Sequence, residues 1–217
     1  MLRVAEAVQR TDTGRQREAN EDAYFSRAPV FAVADGMGGA RAGEIAARIA
    51  VQAFAQAGAD AGGPEPPEAY LRETAQRANS EIFEFARGDS TRSGMGTTLT
   101  AAMLAGNEVS IGHVGDSRAY LYRDGELSQL TNDHSLVEEL RRQGKLTRDQ
   151  AAEHPQRSVI TRALGPEPRV AVDTMTVQGR PGDVFLLCSD GLTTMLSDEE
   201  LSAALERTAD LKVVARR

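Results

Sequence analysis

Val30-Phe31-Ala32-Val33-Ala34-Asp35-Gly36 and Val184-Phe185-Leu186-Leu187-Cys188-Ser189-Asp190-Gly191 are two apolar runs that end in Asp-Gly. Each reads as a buried strand that delivers a carboxylate to its C-terminal edge, followed by a residue with no side chain. Two such edges brought together would form an acidic cluster of oxygen ligands suited to hard divalent metals. Asp-Gly is also a strong hairpin-turn signal, and a third copy, Asp124-Gly125, is flanked by the alternating runs Ala119-Tyr120-Leu121-Tyr122 and Glu126-Leu127-Ser128-Gln129-Leu130. That copy predicts a hairpin. After Asp35-Gly36 the chain instead passes through Met37-Gly38-Gly39 into the helical pattern Glu44-Ile45-Ala46-Ala47-Arg48-Ile49-Ala50. After Asp190-Gly191 it reaches Ser197-Asp198-Glu199-Glu200, an N-cap with Glu200 at the capping-box position. Strand-to-helix junctions do not need Asp-Gly for turning, so Asp35 and Asp190 become candidate site residues.

The 217 residues fit one domain with a sizeable core, and 41% are hydrophobic. No apolar run approaches the length of a membrane helix, and Met1-Leu2-Arg3-Val4-Ala5-Glu6 lacks the apolar stretch of a secretory signal. A single cysteine, Cys188, excludes an intramolecular disulfide and fits a reducing cytoplasm. A net charge of −7 argues against a nucleic-acid partner, which would need a basic footprint. The expectation is a cytoplasmic monomer.

Strand-like stretches fall near 4–9, 22–26, 29–35, 97–105, 108–114, 118–123, 126–131, 170–177 and 183–189, with Gly106-Asn107 as a further hairpin turn. Helical patterns fall near 40–57, 66–87, 134–143, 147–152 and 197–215. Paired long helices between runs of hairpin-linked strands predict an α+β layered fold, with antiparallel sheets covered by helices.

Spacing excludes several chemistries. A cysteine phosphatase needs an arginine six residues after its thiolate, where Thr194 stands; a dehalogenase-type Asp-x-Asp fails at Met175. His113, His134 and His154 form no metal-ligand pattern. The loop Gly36-Met37-Gly38-Gly39-Ala40-Arg41-Ala42-Gly43 lacks the glycine that a dinucleotide fingerprint wants at Arg41 and the lysine that a P-loop wants at Glu44. What remains is a set of acidic residues at strand ends: Asp35, Asp190, Glu21-Asp22, and Asp116 in Gly115-Asp116-Ser117-Arg118. Singly, each reads as a surface carboxylate; together they suit a carboxylate-water site for Mg2+ or Mn2+.

With these blocks in view, the chain resembles a bacterial metal-dependent Ser/Thr protein phosphatase of the type 2C (PPM) family. The matching blocks occur in order: Arg17-Glu18-Ala19-Asn20-Glu21-Asp22, Ala34-Asp35-Gly36-Met37-Gly38-Gly39, Gly94-Met95-Gly96-Thr97-Thr98, and Gly112-His113-Val114-Gly115-Asp116-Ser117-Arg118-Ala119-Tyr120. Leu130-Thr131-Asn132-Asp133-His134-Ser135, Ile160-Thr161-Arg162-Ala163-Leu164-Gly165 and Ser189-Asp190-Gly191-Leu192 follow. The resemblance implies a four-layer α-β-β-α sandwich and hydrolysis of phosphoserine or phosphothreonine in proteins. It also implies two Mn2+ or Mg2+ ions, with a third weaker one. Asp35 would bridge two metals, with the Gly36 carbonyl on one of them, its lack of a side chain leaving room for the ion. Asp190 would bind the other metal, Glu21 and Asp22 would contribute directly or through water, and Asp116 with Asp190 would hold the third ion. Arg17 would grip the substrate phosphate with its planar fork. A water activated by the metals would attack phosphorus in line without a covalent phosphoenzyme. Met37 stands where animal members carry a histidine, which leaves the general acid unassigned; a metal-bound water is the preferred candidate. His134 reads as a structural hydrogen-bonder.

Residues 136–158 correspond to a mobile flap in bacterial members, and Arg141, Arg142 or Arg157 there would influence substrate choice. The family's closing Asp-Asn, whose aspartate would share the metal of Asp190, has no counterpart in a sequence that ends Leu211-Lys212-Val213-Val214-Ala215-Arg216-Arg217. The sequence is then either truncated or that of a naturally short member, and weaker metal binding beside Asp190 is expected. Three readings follow: an active phosphatase whose partners are phosphoproteins such as a Ser/Thr kinase or its substrates, an impaired phosphoprotein-binding module, or a regulator acting on an anti-sigma-factor antagonist.

Overall fold

A computed structural model describes residues 1–15, 19–38, 42–59, 66–208 and 210–216. Strands β1 (Asp22–Arg27), β2 (Val30–Met37), β4 (Leu99–Ala105), β5 (Glu108–Val114) and β8 (Asp173–Gln178) form an antiparallel sheet in the order β1-β2-β4-β5-β8, with the two-residue β3 (Gly96–Thr97) paired to the end of β2. A second antiparallel sheet runs β7 (Glu126–Gln129), β6 (Arg118–Arg123), β9 (Val184–Cys188). The expected hairpins form. Asp124 and Gly125 both take positive φ, as a tight two-residue turn requires, and Gly106 does so between β4 and β5.

The period-2 pattern of the strands sorts their side chains between two cores. Val30, Ala32 and Ala34 of β2 and Leu99 and Ala101 of β4 pack with helices α1 (Ala42–Ala59) and α2 (Pro67–Arg87). The alternate residues Ala102, Val109 and Ile111 join Ala119 of β6 and Phe185 and Leu187 of β9 between the sheets. In α1 the buried positions Ala46, Ala47, Ala50 and Ala53 are small, so the helix lies close to the sheet and Phe54 fills the remaining space. In α2, Leu71, Ala75, Ala78 and Ile82 form one apolar stripe at helical spacing, behind a proline at the start of the helix.

Short helices α3 (Leu136–Arg142) and α4 (Arg148–Ala152) precede β8; α5 (Asp190–Thr193), α6 (Asp198–Glu206) and α7 (Leu211–Val214) follow β9. Ser197 and Glu200 make the expected reciprocal capping box of α6, which lies against β7.

Two expectations are corrected. Residues 4–9 form no strand: the N-terminal segment is tied near its start, where the Leu2 amide donates to Gly106 O at 3.1 Å and Asn107 Oδ1 at 2.8 Å. The helix expected over 197–215 is two helices, because the Asp210 carboxylate accepts from the Lys212 and Val213 amides and starts α7 afresh. No helix among the described residues is long and apolar enough to cross a membrane.

Candidate metal and phosphate site

Pairing of β1 with β2 places Asp22 directly opposite Asp35. Their side chains therefore share one face of the sheet, and as i and i+2 residues Asp35 and Met37 share it too. The Asp35 backbone is clamped from β3 and β4: its amide donates to Thr98 Oγ1 at 2.9 Å, and its carbonyl accepts from the Thr98 amide and from Thr97 Oγ1, both at 2.9 Å. Glu21 lies just before β1, where its carbonyl accepts the Gly36 amide at 3.1 Å.

The second Asp-Gly arrives from the other sheet. Ser189, the N-cap of α5, donates from Oγ to Asp22 Oδ2 at 2.8 Å, a contact between residues 167 apart in sequence. Asp190 is the next residue in the chain. It opens the short helix α5. Asp116, between β5 and β6, is pushed up to about 6 by burial and by the carboxylates of Asp190 and Asp133.

Of the candidate acidic residues, the structure sets Asp22 opposite Asp35 and brings Asp190 close enough to Asp116 for their charges to interact. Among the described residues no three Asp, Glu, His or Cys side chains converge into a closed metal cage. In kind the donors fit Mn2+ or Mg2+: carboxylate oxygens, a backbone carbonyl at Gly36, and like charges on one face that a cation would relieve. Arg17 lies outside the described residues.

The bare position at Gly36 has a reason other than room for an ion. A Cβ there would sit 2.1 Å from the carbonyl oxygen of Gly43, and a Cβ on Gly43 would sit 2.7 Å from the Gly36 carbonyl carbon. The end of β2 and the first turn of α1 touch backbone to backbone.

Further polar contacts surround these residues. Thr98 Oγ1 and Ser117 Oγ are 2.7 Å apart, linking the Asp35 clamp to the residue after Asp116. Arg118 makes a forked contact to Asp133, with Nη2 to Oδ2 at 2.6 Å, and donates from Nη1 to Tyr120 OH at 3.0 Å. The Tyr120 hydroxyl donates to Asp198 of α6 at 3.1 Å, and Asp198 also pairs with Arg148 of α4 at 2.8 Å. His134 is a structural hydrogen-bonder: its Nδ1 accepts from the Gly115 amide at 3.0 Å, so Nε2 carries the proton and faces Asp173 at 3.1 Å. Cys188 is buried, and burial pushes its thiol up to about 12; no thiolate forms at neutral pH.

His113 stacks beside His134 with ring centroids 4.7 Å apart, its Nε2 donating to Asn132 O at 3.1 Å. Burial, then the neighbouring His134, lowers it to about 4. Because the folded value lies below the unfolded one, this contribution to stability is complete above the ordinary histidine range and is lost as pH falls toward 4. The full swing is on the order of 3 kcal/mol. Asp116, raised, acts with the opposite sign over the acidic range. His113→Gln should therefore flatten the acid limb in chemical denaturation between pH 7 and 4.5; an unchanged slope would show that His113 does not carry it.

The protein phosphatase 2C family matches residues 12–213. The serine/threonine phosphatase stp of Listeria monocytogenes is 44% identical over 205 residues, covering 91% of this chain and 81% of that protein. The crystal structure of the Mycobacterium tuberculosis serine/threonine phosphatase PstP superposes with a TM-score of 0.89 at 41% identity, covering 96% of this chain and 87% of the other. The catalytic domain of PstP in complex with two manganese ions gives 0.87 at 39% identity, covering 95% and 86%. The two antiparallel sheets, the junction of their strand ends and these likenesses together place the chain in the protein phosphatase 2C family, as a metal-dependent Ser/Thr protein phosphatase.

Proposed function

We propose that Asp35, the Gly36 carbonyl, Glu21, Asp22, Asp116 and Asp190 hold two Mn2+ or Mg2+ ions, with a third beside Asp116, and that Arg17 binds the phosphate of phosphoserine and phosphothreonine in proteins. The observation that supports this reading is the Ser189–Asp22 hydrogen bond, which links the residue before Asp190 to the strand partner of Asp35. Bound there, divalent ions would supply Lewis acidity toward the phosphoryl oxygens and lower the pKa of water to a usable range. The chain's own part is positioning. Thr97 and Thr98 hold the Asp35 backbone, Ser189 orients one oxygen of Asp22, and the planar fork of Arg17 would orient the phosphate for in-line attack.

The test is hydrolysis of a phosphothreonine peptide with added Mn2+ and with chelator. Turnover that persists in excess chelator, or none at any Mn2+ concentration, would refute the proposal. Metal binding without turnover would favour a phosphoprotein-binding module instead.

The arginines of 136–158 are proposed to bias substrate choice. Arg141 is occupied by Glu138 at 2.6 Å, while the side chains of Arg142 and Arg157 have no hydrogen-bond or ion-pair partner among the described residues. Alanine at Arg142 and Arg157 should shift peptide preference while leaving hydrolysis of p-nitrophenyl phosphate near wild type. Equal losses on both substrates would count against the idea.

A further inference from the structure

The face of β2 that carries Asp35 also carries Met37, one strand repeat further on, and beyond Met37 a cavity of about 300 Å³ opens. Its other wall is the segment between α4 and β8, contributing Ile160, Ala163, Pro166, Val170 and Ala171. We propose that this cavity receives an aliphatic side chain of the phosphoprotein, two or three residues from the phosphorylated one; the proposal rests on the phosphatase reading of the neighbouring site.

Distance sets the position. Two residues of strand separate Asp35 from Met37, about 7 Å, and an extended substrate advances about 3.3 Å per residue. A chain whose phosphate lies at Asp35 therefore passes the cavity within two or three residues.

Chemistry sets the occupant. The lining is mainly apolar; of its charged residues Arg162 is bonded to Asp173 at 2.6 Å outside the lining, which leaves Glu167 and Arg169 with opposite formal charges. An acidic side chain would find no net positive field, whereas an aliphatic one would leave water for an apolar wall.

The wall is built in advance. Leu164 is bridged to Thr97 through both of its backbone groups, at 2.9 and 3.0 Å. The wholly buried Asn79 of α2 donates to Glu167 O at 3.0 Å and accepts the Gly165 amide at 2.9 Å. Gln76 of the same helix donates to Val170 O. A preformed pocket loses little ordering entropy on binding, so apolar contact there converts efficiently into affinity.

The test uses the full chain in Mn2+ with fluorescent peptides bearing a non-hydrolysable phosphonate analogue of phosphothreonine. Leu, Ala or Glu is placed at each position two or three residues to either side, and binding is read by anisotropy. Leu at one of these positions should bind about tenfold tighter than Ala. Ala171→Phe, at an exposed edge of the wall, should erase that preference while p-nitrophenyl phosphate hydrolysis and melting temperature hold; Ala171→Leu is the milder variant if the larger one folds poorly. Equal binding of Leu and Ala peptides overturns the proposal, as does a preference for Glu or a Leu preference that survives both fillings. A Leu preference in a chain that hydrolyses no aryl phosphate would instead uphold the pocket and refute the phosphatase reading.

Discussion

Asp35→Asn abolishes Mn2+-dependent hydrolysis of phosphothreonine peptides while leaving the fold intact: that is the expected result with the largest effect on activity. The hydrogen bonds from residue 35 to Thr97 and Thr98 run through its backbone, so an isosteric amide keeps them. What changes is one negative charge and one proposed metal ligand. Residues that merely orient metal ligands are worth about 10–100-fold, so loss of the proposed bridging carboxylate should cost about a thousandfold or more in kcat. Stability in chelator should hold or rise, because Asp22 directly opposite loses a like-charged neighbour. Ser189→Ala provides the scale. It removes only the hydroxyl that orients Asp22, and a loss of about tenfold is expected from it. Mn2+ binding followed by calorimetry should fall in the same order. A variant at Asp35 that keeps a tenth of wild-type turnover would remove that residue from the centre of the site.

The strands and the two Asp-Gly ends were legible in sequence because they rest on local patterns: period-2 burial in β2, positive-φ turn chemistry at Gly106 and Asp124-Gly125, and the Ser197–Glu200 box. Failures came where the deciding contact is distant or lacks a periodic signature. The segment 4–9 has strand-like composition, yet a strand needs a partner edge, and among the described contacts the ladder-like one is at Leu2, before that segment. The Ser189–Asp22 bond spans 167 residues and uses a serine that, read locally, is no more than a helix cap. The buried group of Thr100, His113 and Ser117 is joined by hydrogen bonds between residues 13 and 17 apart in sequence. Its one readable signal was a histidine at an inward position of a strand otherwise filled by Val109 and Ile111. The break at Asp210 had a local signal, an acidic N-cap, that the longer apolar periodicity on either side concealed.

Gly43→Ala is expected to destabilise the protein strongly, although residue 43 touches no proposed ligand side chain. Helix propensity alone argues the other way: alanine in place of glycine in a helix favours folding by up to about 1 kcal/mol. Packing reverses the sign. The added Cβ would lie 2.7 Å from the Gly36 carbonyl carbon and 2.9 Å from both its oxygen and the Met37 nitrogen, all backbone atoms that no rotamer change can move. Relief requires sliding α1 away from β2, and the Ala34–Ala46–Ala50 contact behind it belongs to the main core. Overpacking of a close-packed interior costs about 1–3 kcal/mol or more. With the upper end favoured by an all-backbone clash, a net loss of about 3 kcal/mol would lower the melting temperature by about 6–12 °C in a domain of this size. The same displacement shifts the Gly36 carbonyl, so Mn2+ affinity should weaken in parallel. Gly36→Ala, with its 2.1 Å approach to the Gly43 oxygen, should be worse on both counts. If Gly43→Ala melts at or above the wild-type temperature, the backbone contact between β2 and α1 is not what holds the first Asp-Gly in place. If it destabilises without altering Mn2+ binding, Gly36 contributes packing and no ligand.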